Sequence, residues 1–315
     1  MIFSILAFVI SILILAKASD WTITGAISIA RYLKLSDLVI GFFLISFATS
    51  LPELSVAISS GLSHAGGISL GNILGSNIVN IALTAGVMGI LGKTIFIKKE
   101  DIKKLNKMIL ISIIIIPFIL LSPQLGVLEG IILILLFLIF LMYTIKNEIS
   151  LEYEGKRPTR KQAITGLSYF LIGISLVIFS SSYAVENGIH IIVNFGITQS
   201  FLGATLIAIG TTLPELMVSV KALQKKHFNL ALGNILGSCI INLTLILGIG
   251  AVLAPIIIEQ PIIFIISFFL MVSIITLHHF LRTDNRLKRN EGIVLVMVYI
   301  VYLLTLFAIQ THILL

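Results

Sequence analysis

The chain has 315 residues, of which 58% are apolar and only 11% are charged, and its mean hydropathy is +1.14. A soluble domain of this length carries about twice that charged fraction, so a water-soluble fold is excluded. The net charge of +7 suggests an anionic partner such as a nucleic acid, but the positions of the basic residues exclude that interpretation.

Ten long apolar runs, each nearly free of charge, follow one another along the chain. Most have the roughly 20 residues that span a bilayer core, and in lipid such runs must be helical to satisfy their backbone hydrogen bonds. Barrel strands are excluded, because they alternate at period two over about ten residues. The sequence therefore predicts an all-α integral membrane protein with ten transmembrane helices, at residues 2–16, 38–63, 65–92, 108–121, 125–145, 162–181, 189–220, 228–258, 262–281 and 292–310.

The first run resembles the core of a signal peptide. It lacks a basic leader, and its apolar character continues past Trp21, so we interpret it as a retained first helix.

Twenty of the 21 basic residues lie in alternate gaps between the predicted helices. These are the first, third, fifth, seventh and ninth gaps, and the remaining residue, Lys17, lies inside helix 1. Short loops rich in Lys and Arg stay in the cytoplasm. The pattern predicts a multi-pass protein of the cell membrane with cytoplasmic basic loops and both termini outside the cell. An alternative for the loop at 93–107 is that it binds anionic lipid.

An internal repeat links the two halves of the chain. Residues 35–86 align without a gap onto residues 197–248 at a constant offset of 162, with 20 of 52 positions identical. Fixed-offset similarity indicates a duplicated structural unit. Because the copies begin five predicted helices apart, the second copy is inverted in the membrane. Two inverted five-helix repeats with a site near the midplane are the recurring design of secondary transporters.

The repeat divides the chain into three parts. Residues 1–145 form an N-terminal transmembrane half with the first repeat, and residues 162–315 form a C-terminal half with the second. Residues 146–161 form a cytoplasmic connector that is too short for a separate soluble domain.

Two glutamates occupy equivalent positions of the repeat, Glu53 near the middle of helix 2 and Glu215 near the middle of helix 7. An ionised carboxylate at mid-bilayer is costly, so it is usually functional and faces a cavity or a partner. The alternative is a protonated, purely structural glutamate, which burial favours. Two related glutamates in identical Leu-Pro-Glu-Leu sequences favour a functional site.

A proline precedes each of these glutamates. Pro52 and Pro214 cannot donate to the carbonyl four residues earlier, so we expect a kink and freed backbone oxygens at both positions. Thr49 and Thr211 lie four residues before the glutamates, and one helical turn places each hydroxyl on the face of its carboxylate.

The second part of each repeat carries a polar stripe at i, i+4 and i+8. The members are Asn72, Ser76 and Asn80 in the first repeat, and Asn234, Ser238 and Asn242 in the second. We expect the serine and the second asparagine of each stripe to line the site. For the first asparagine of each stripe, Asn72 or Asn234, helix capping or interhelical hydrogen bonding is nearly as good an explanation as lining the site.

All of these groups are hard oxygen donors, and no His or Cys is positioned with them. Such donors suit Na⁺, Ca²⁺ and Mg²⁺, and flexible geometry favours Ca²⁺ over Mg²⁺. Two carboxylates neutralise one divalent ion, which makes its burial electrostatically tolerable.

At these residues the sequence resembles the sodium/calcium exchanger branch of the calcium:cation antiporter superfamily, of the prokaryotic type. Residues 46–53 and 208–215 resemble the first parts of its two alpha repeats, and the two Gly-Asn-Ile-Leu-Gly-Ser stretches resemble the second parts. The resemblance implies an antiporter rather than an enzyme. Its partners are the transported Ca²⁺ and Na⁺ and membrane lipid, without a cofactor, a nucleic acid or an obligate protein partner.

The resemblance also implies how the ions are held. Ca²⁺ would bind the carboxylates of Glu53 and Glu215 and the backbone oxygens of Thr49 and Thr211. Na⁺ would bind Thr49, Ser76 and Glu53 on one side, and Thr211, Ser238 and Glu215 on the other. The backbone oxygens of Ser46 and Ala208 would contribute, and a central position would involve Asn80 and Asn242.

Two positions depart from the family pattern. Ala48 stands where the family usually has Gly, and Asn242 stands where many relatives carry Asp. The site then has two acids rather than three, which predicts weaker central binding of a cation and no added requirement for K⁺.

The predicted mechanism is competitive alternating access, with helices 1 and 6 sliding across the core. It moves net charge if more than two Na⁺ replace one Ca²⁺. One alternative is exchange of H⁺ for Ca²⁺ at the same glutamates; that branch carries Gly-Asn before its glutamate, which is absent here. A second alternative is a cation channel, against which the inverted repeat argues.

Overall fold

The computed structural model describes residues 2–33, 37–62, 64–96, 99–121, 123–148, 158–190, 199–258, 260–284 and 286–314. In the first half, α1 is Ile2–Leu33, and α2 (37–49) consists of Asp37–Ile40, a π-helical turn Gly41–Ile45 and Ser46–Thr49. Helix α3 is Leu51–Leu62, and α4 (66–92) consists of Gly66–Ile78, a π-helical turn Val79–Thr84 and Ala85–Gly92. Helix α5 is Lys99–Leu121 and α6 is Val127–Glu148.

The second half follows the same order. Helix α7 is Arg160–His190, and α8 (199–211) consists of Gln199–Leu202, a π-helical turn Gly203–Ile207 and Ala208–Thr211. Helix α9 is Leu213–Gln224, and α10 (228–253) consists of Phe228–Ile241, a π-helical turn Asn242–Ile246 and Leu247–Leu253. Helix α11 is Gln260–Asp284 and α12 is Arg289–Leu314.

The helices have the length and composition of a membrane protein. Among the described residues, six helices (α4, α6, α7, α10, α11 and α12) are long and apolar enough to cross a bilayer. The bent pairs α2–α3 and α8–α9 raise this number to eight if each pair is one span. Large apolar side chains such as Met142, Phe179 and Leu304 are exposed on the outer helices, as expected where hydrocarbon covers them.

The all-α prediction missed two short antiparallel ladders. Strand β1 (Thr94–Phe96) pairs with β4 (Arg286–Lys288), and β2 (Gln124–Leu125) pairs with β3 (Ile256–Ile257). Strands of two or three residues are too short to produce a period-two pattern, so hydropathy alone did not reveal them. Each ladder joins two loops that are far apart in sequence.

Helix α1 extends well beyond the charge-free run at 2–16 and contains Lys17 and Asp20, as expected from the apolar character that continues past Trp21. Lys17 is exposed, and the carboxylate of Asp20 lies 3.3 Å from the ammonium of Lys225. Arg31, predicted to lie in the first gap, is in the last turn of α1. Of the predicted connector at 146–161, residues 146–148 end α6, residues 158–159 are not helical, and α7 begins at Arg160. Residues 149–157 lie outside the described residues, as do 191–198 of the predicted helix at 189–220.

Local structure recurs at the sequence offset of 162. The π-helical turns Gly41–Ile45 and Gly203–Ile207 are equivalent, and those at Val79–Thr84 and Asn242–Ile246 nearly coincide. His64 and Lys226 both have positive φ, of 53° and 65°, in matching turns. The equivalence extends to α6 and α12, where the Glu129 and Glu291 carboxylates accept from the Gly126 and Lys288 amides at 2.9 and 2.7 Å.

Helices α4 and α10 form the centre of the molecule, and their packing crosses between the two halves. Helix α4 packs against α8, and α10 packs against α2. Glycines permit both contacts: a Cβ atom at Gly41 would collide with the carbonyl oxygen of Leu230, and one at the equivalent Gly203 with that of Ile68. Outside this centre, α1 packs mainly against α7.

Candidate cation-binding site

Each helix that carries a predicted site glutamate is broken just before it. Gly41–Thr49 meets Leu51–Leu62 at 47°, and Gly203–Thr211 meets Leu213–Gln224 at 45°. The breaks fall at the prolines, which remove a backbone donor from the helix. The kinks expected from Pro52 and Pro214 are therefore confirmed, and they place Glu53 and Glu215 in the first turns of α3 and α9.

The two glutamates come together in the interior. Both side chains are fully buried, and their carboxyl groups are close enough to interact electrostatically. Among the described residues, no group of three or more His, Cys, Asp or Glu side chains could hold a metal ion. The acidic part of the site therefore consists of these two carboxylates, and neutral oxygens surround them.

Hydroxyl groups from both halves hold the carboxylate of Glu215. Its Oε1 accepts a hydrogen bond from Ser50 at 3.1 Å and another from Ser238 at 3.2 Å. The hydroxyl of Thr49 also lies beside it. The other oxygen, Oε2, is buried without a hydrogen-bond partner.

The carboxylate of Glu53 has a different environment. The hydroxyls of Thr211 and Ser76 lie beside it, but neither of its oxygens has a partner of ordinary hydrogen-bond geometry. The two hydroxyls are 3.3 Å apart and donate instead to Oδ1 of Asn72, at 3.1 Å from Thr211 and 3.4 Å from Ser76.

The threonine contacts cross between the repeats. Thr49 lies beside Glu215 and donates to Oδ1 of Asn234 at 3.3 Å, while Thr211 lies beside Glu53 and donates to Asn72. The sequence placed each threonine on the face of the glutamate in its own helix, and the bend at the proline changes this arrangement. Asn72 and Asn234 make the interhelical bonds that were one of the two interpretations of these residues.

A second polar group lies at the π-helical turns. Asn242 donates through Nδ2 to Oδ1 of Asn77 at 3.1 Å, and Asn77 donates to the carbonyl of Cys239 at 3.4 Å. Both amide atoms of Asn80, and Oδ1 of Asn242, are buried without a partner. π-Helical turns are frequent at functional sites, because they shift backbone and side chains out of the regular register.

The backbone oxygens predicted for Na⁺ already accept hydrogen bonds. The carbonyl of Ser46 accepts from the Ser50 amide at 3.0 Å and from the Thr49 hydroxyl at 3.3 Å. That of Ala208 accepts from the amide and hydroxyl of Thr212, at 3.1 and 2.6 Å, and from Thr211 at 3.4 Å. A cation at either oxygen would share it with these donors.

Comparison with known proteins agrees with this geometry. The family model described as "Sodium/calcium exchanger protein" matches residues 3–146 and 165–308, most of the chain. The chain belongs to the sodium/calcium exchanger family. It is 32% identical over 311 residues to the putative antiporter CaxA of Alkalimonas amylolytica, covering 95% of this chain and 97% of that protein. It is 29% identical over 349 residues to the sodium/calcium exchanger MaX1 of Methanosarcina acetivorans, covering 96% and 98%.

A solved structure also matches over nearly the whole exchanger. The sodium-calcium exchanger NCX_Mj, from crystals soaked with Na⁺ and Ca²⁺, superposes with a TM-score of 0.84 at 27% identity, covering 97% of this chain and 99% of that one. The predicted family is thus confirmed. The family and its solved members are transmembrane antiporters rather than enzymes, they use no cofactor, and transported Na⁺ and Ca²⁺ fit the family.

The buried oxygens of this exchanger fit a hard cation. Three carboxylate oxygens, Oε1 and Oε2 of Glu53 and Oε2 of Glu215, are buried without a hydrogen-bond partner. Leaving such groups unpaired in the interior is costly, and a cation bound between them removes that cost. The groups that hydrogen-bond or lie directly beside the carboxylates are neutral hydroxyls, which suit Na⁺ or Ca²⁺ rather than a transition metal, although the buried thiol of Cys239 is near Glu215.

Sequence reasoning missed two residues of the site, Ser50 and Asn77. Ser50 lies three residues before Glu53 in the first repeat, yet its hydroxyl contacts the glutamate of the second. Its position next to Thr49, and its alignment with Thr212, were the available signals. Asn77 aligns with Cys239, so the repeat gave no reason to choose it.

Proposed function

We propose that the exchanger moves Ca²⁺ against Na⁺ across the cell membrane by competitive alternating access at Glu53 and Glu215. The observation that carries the proposal is the pair of fully buried carboxylates, from two broken helices, with three oxygens that have no protein partner. Two carboxylates balance one Ca²⁺ or two Na⁺, so the two ions exclude one another by charge. The family membership supports the same cations.

The ion ligands belong to the proposal as well. For Ca²⁺ they are the two carboxylates and the backbone oxygens of Thr49 and Thr211. For Na⁺ they are Thr49, Ser76 and Glu53, and Thr211, Ser238 and Glu215, with the carbonyls of Ser46 and Ala208 and a central position at Asn80 and Asn242. The burial of all ten residues supports this set. Binding of more than two Na⁺ for one Ca²⁺ makes transport electrogenic.

The proposed architecture has ten transmembrane helices in two inverted repeats of five. Counting each bent pair as one span gives eight, and α1 and α5 complete the ten. The offset of 162, which relates turns, glycine contacts and helix starts, supports the repeat. Its crossed packing, α4 on α8 and α10 on α2, is the pattern expected of two units related by a two-fold axis.

The proposed orientation places the basic loops in the cytoplasm and both termini outside. The two ladders support the alternation of sides but not its direction, because β1–β4 joins the third gap to the ninth and β2–β3 joins the fourth to the eighth. Loops that pair must lie on one side of the membrane. A test labels single cysteines introduced at Gln124 and Asn290 in intact cells, on a Cys239→Ser background, with a reagent that does not cross membranes. Labelling at Gln124 alone is expected, and labelling at Asn290 alone would reverse the orientation.

The function is tested with the purified exchanger in liposomes that contain no other protein. Ca²⁺ uptake is measured with Na⁺ only inside, with no Na⁺ on either side, and with a pH gradient in place of the Na⁺ gradient. We expect uptake only with the outward Na⁺ gradient, and faster uptake when a K⁺ diffusion potential makes the interior positive, because more than two Na⁺ leave for each Ca²⁺ that enters. Uptake driven by the pH gradient alone would replace the proposal with exchange of H⁺ for Ca²⁺. Uptake without any opposing gradient would reject coupling and favour a channel. Activity of the purified chain would also agree with the absence of an obligate protein partner.

A further inference from the structure

The hydroxyl of Tyr302, on α12, donates a hydrogen bond of 2.9 Å to the backbone carbonyl of Ala204 in the π-helical turn of α8. The Tyr302 side chain is completely buried, and its ring packs against Phe269 with centroids 5.7 Å apart. Carbonyls in a π-helical turn leave the regular register of the helix. A weakly paired carbonyl in the membrane interior is costly, and Tyr302 gives the Ala204 carbonyl a donor from another helix.

The first repeat satisfies the equivalent oxygen in a different way. At the offset of 162, Ala204 corresponds to Phe42 and Tyr302 corresponds to Phe140. The rings of Phe42 and Phe140 are in contact, with centroids 5.3 Å apart, but Phe140 has no hydroxyl. The carbonyl of Phe42 instead accepts from the hydroxyl of Ser46, one turn later in the same helix.

The hydroxyl that donates to the equivalent carbonyl therefore comes from a different position in each repeat. The residue equivalent to Ser46 is Ala208, which has no hydroxyl, and in that repeat the donor is Tyr302. In the first repeat the π-helical turn is closed from within its own helix. In the second it is tied to α12, a helix outside the aligned segment at 197–248.

The tie lies next to the proposed Na⁺ ligands of the second repeat. Ala208 is one turn beyond Ala204, and Thr211 and Glu215 follow along the same broken helix. Movement of the π-helical turn displaces the Ala208 carbonyl first. The proposed Ca²⁺ ligands lie farther along and are shared with the first repeat.

We infer that Tyr302 is a positioning residue that holds the π-helical turn of α8, and through it the Ala208 carbonyl, in the geometry that binds Na⁺. The inference deepens the proposed function and rests on it for the identity of the ion. The hydrogen bond between Tyr302 and Ala204 is present in the structure whichever ion the protein transports.

The transport test compares Tyr302→Phe with Tyr299→Phe in the liposome assay. Tyr299 lies on the same helix one turn earlier, is buried, and has a hydroxyl without a hydrogen-bond partner, so it is a matched control. Tyr302→Phe is expected to raise the half-saturating Na⁺ concentration about fivefold and to change that of Ca²⁺ less than about twofold, since one hydrogen bond is lost. Tyr299→Phe is expected to change neither. An unchanged Na⁺ response in Tyr302→Phe, or equal shifts for both ions, would overturn the inference.

A second variant restores the missing donor by the route of the first repeat. Ala208→Ser supplies a hydroxyl one turn beyond the Ala204 carbonyl, and Gly75 packs against Ala204 as Gly237 packs against Phe42 and Ser46, which leaves equivalent room. Combined with Tyr302→Phe, it is expected to return the half-saturating Na⁺ concentration to within about twofold of the unmodified exchanger. Failure of the combined variant to restore it contradicts the inference.

Amide hydrogen exchange separates this inference from the proposed function. Loss of the hydrogen bond in Tyr302→Phe is expected to speed exchange in residues 199–211 at least about threefold, and Ala208→Ser is expected to reverse the change. This measurement needs no transport. The unmodified exchanger could show no Na⁺-coupled uptake while the variants change amide hydrogen exchange as expected. In that case the proposed function is wrong, but the Tyr302–Ala204 hydrogen bond still holds the π-helical turn. Unchanged amide exchange overturns the tie, whatever the transport result.

Discussion

Glu53 and Glu215 occupy identical tetrapeptides and are equally buried, but their carboxylates have different neighbours. Glu215 accepts hydrogen bonds from Ser50 and Ser238, whereas neither oxygen of Glu53 has a partner. Two aligned positions produce the difference. Ser76, the equivalent of Ser238, donates to Asn72 and not to Glu53. The other position is that of Ser50. The hydroxyl of Ser50 crosses to Glu215, while that of its equivalent, Thr212, bonds back to the Ala208 carbonyl at 2.6 Å, as threonines in helices often do.

This comparison shows how a small change breaks the symmetry of a duplicated site. One carboxylate is held by hydrogen bonds from protein hydroxyls, and the other has hydroxyls beside it but no hydrogen bond of ordinary geometry. Four predictions test the comparison, beginning with the largest expected effect and ending with the smallest.

Removal of either charge is expected to stop transport. Glu53→Gln and Glu215→Gln each leave only one buried carboxylate to balance the cation. The binding free energy of Ca²⁺ is expected to weaken by about 3–5 kcal/mol, which lowers Ca²⁺ uptake at least about 100-fold. Glu129→Gln is the control, because this glutamate caps the start of α6 and is expected to retain uptake. Substantial uptake by either site variant would show that the two glutamates do not act as a pair.

One hydroxyl that breaks the symmetry is tested by Ser50→Ala against Thr212→Ala. Without its bond from Ser50, the Glu215 carboxylate is less well oriented, and the half-saturating Ca²⁺ concentration is expected to rise about fivefold. Thr212→Ala removes a bond to a carbonyl that keeps its amide donor, so a change of less than about twofold is expected. Equal effects of the two substitutions in the liposome assay would contradict the assigned role of Ser50.

The two central asparagines differ as the glutamates do, because the residue of the second repeat has a hydrogen-bond partner and that of the first does not. Asn242 donates to Asn77, whereas both amide atoms of Asn80 lack partners. Asn242→Leu leaves an acceptor of Asn77 unpaired and is expected to lower the free energy of unfolding by about 1–3 kcal/mol. Asn80→Leu removes two unsatisfied atoms and is expected to be nearly neutral for stability. Thermal unfolding of the purified protein in detergent measures both, and the reverse order of stabilities would be inconsistent with the structure.

The smallest effect is expected at the ion pair between Asp20 and Lys225, which is a control for charge outside the site. The two side chains are 32% and 34% exposed, and such pairs contribute less than about 1 kcal/mol. Asp20→Asn and Lys225→Ala, alone and together, are expected to shift thermal unfolding only slightly and to leave Ca²⁺ uptake measurable. A loss of uptake as large as that of the glutamate variants would assign Asp20 to the transport pathway.

The sequence predicted the parts of the site that depend on composition and duplication. Glu53 and Glu215 stand out because charge is rare in apolar runs, and the paired prolines predicted the bends that the structure contains. Contacts made by ordinary residues left no such signal. Ser50 is one of many serines, and only the bend brings its hydroxyl to the opposite glutamate.

The remaining differences have similar causes. Hydropathy placed Lys17 inside the first helix but did not predict that α1 reaches Leu33, because Arg31 was assigned to the first gap. Period-two patterns require more residues than β2 and β3 contain. The π-helical turns left no signal in hydropathy, so the different donors, Ser46 in one repeat and Tyr302 in the other, become visible only when the two turns are compared in space.

The length of α1 and α7 has a consequence for the lipid. With 32 and 31 residues, these helices extend about 48 and 46 Å, whereas the hydrocarbon of a bilayer is about 30 Å thick. The pair must lean or protrude, and the angle it adopts depends on the thickness of the surrounding membrane. The acyl chain length of the lipid is therefore expected to change the tilt of α1 and α7 without changing any residue of the proposed cation site.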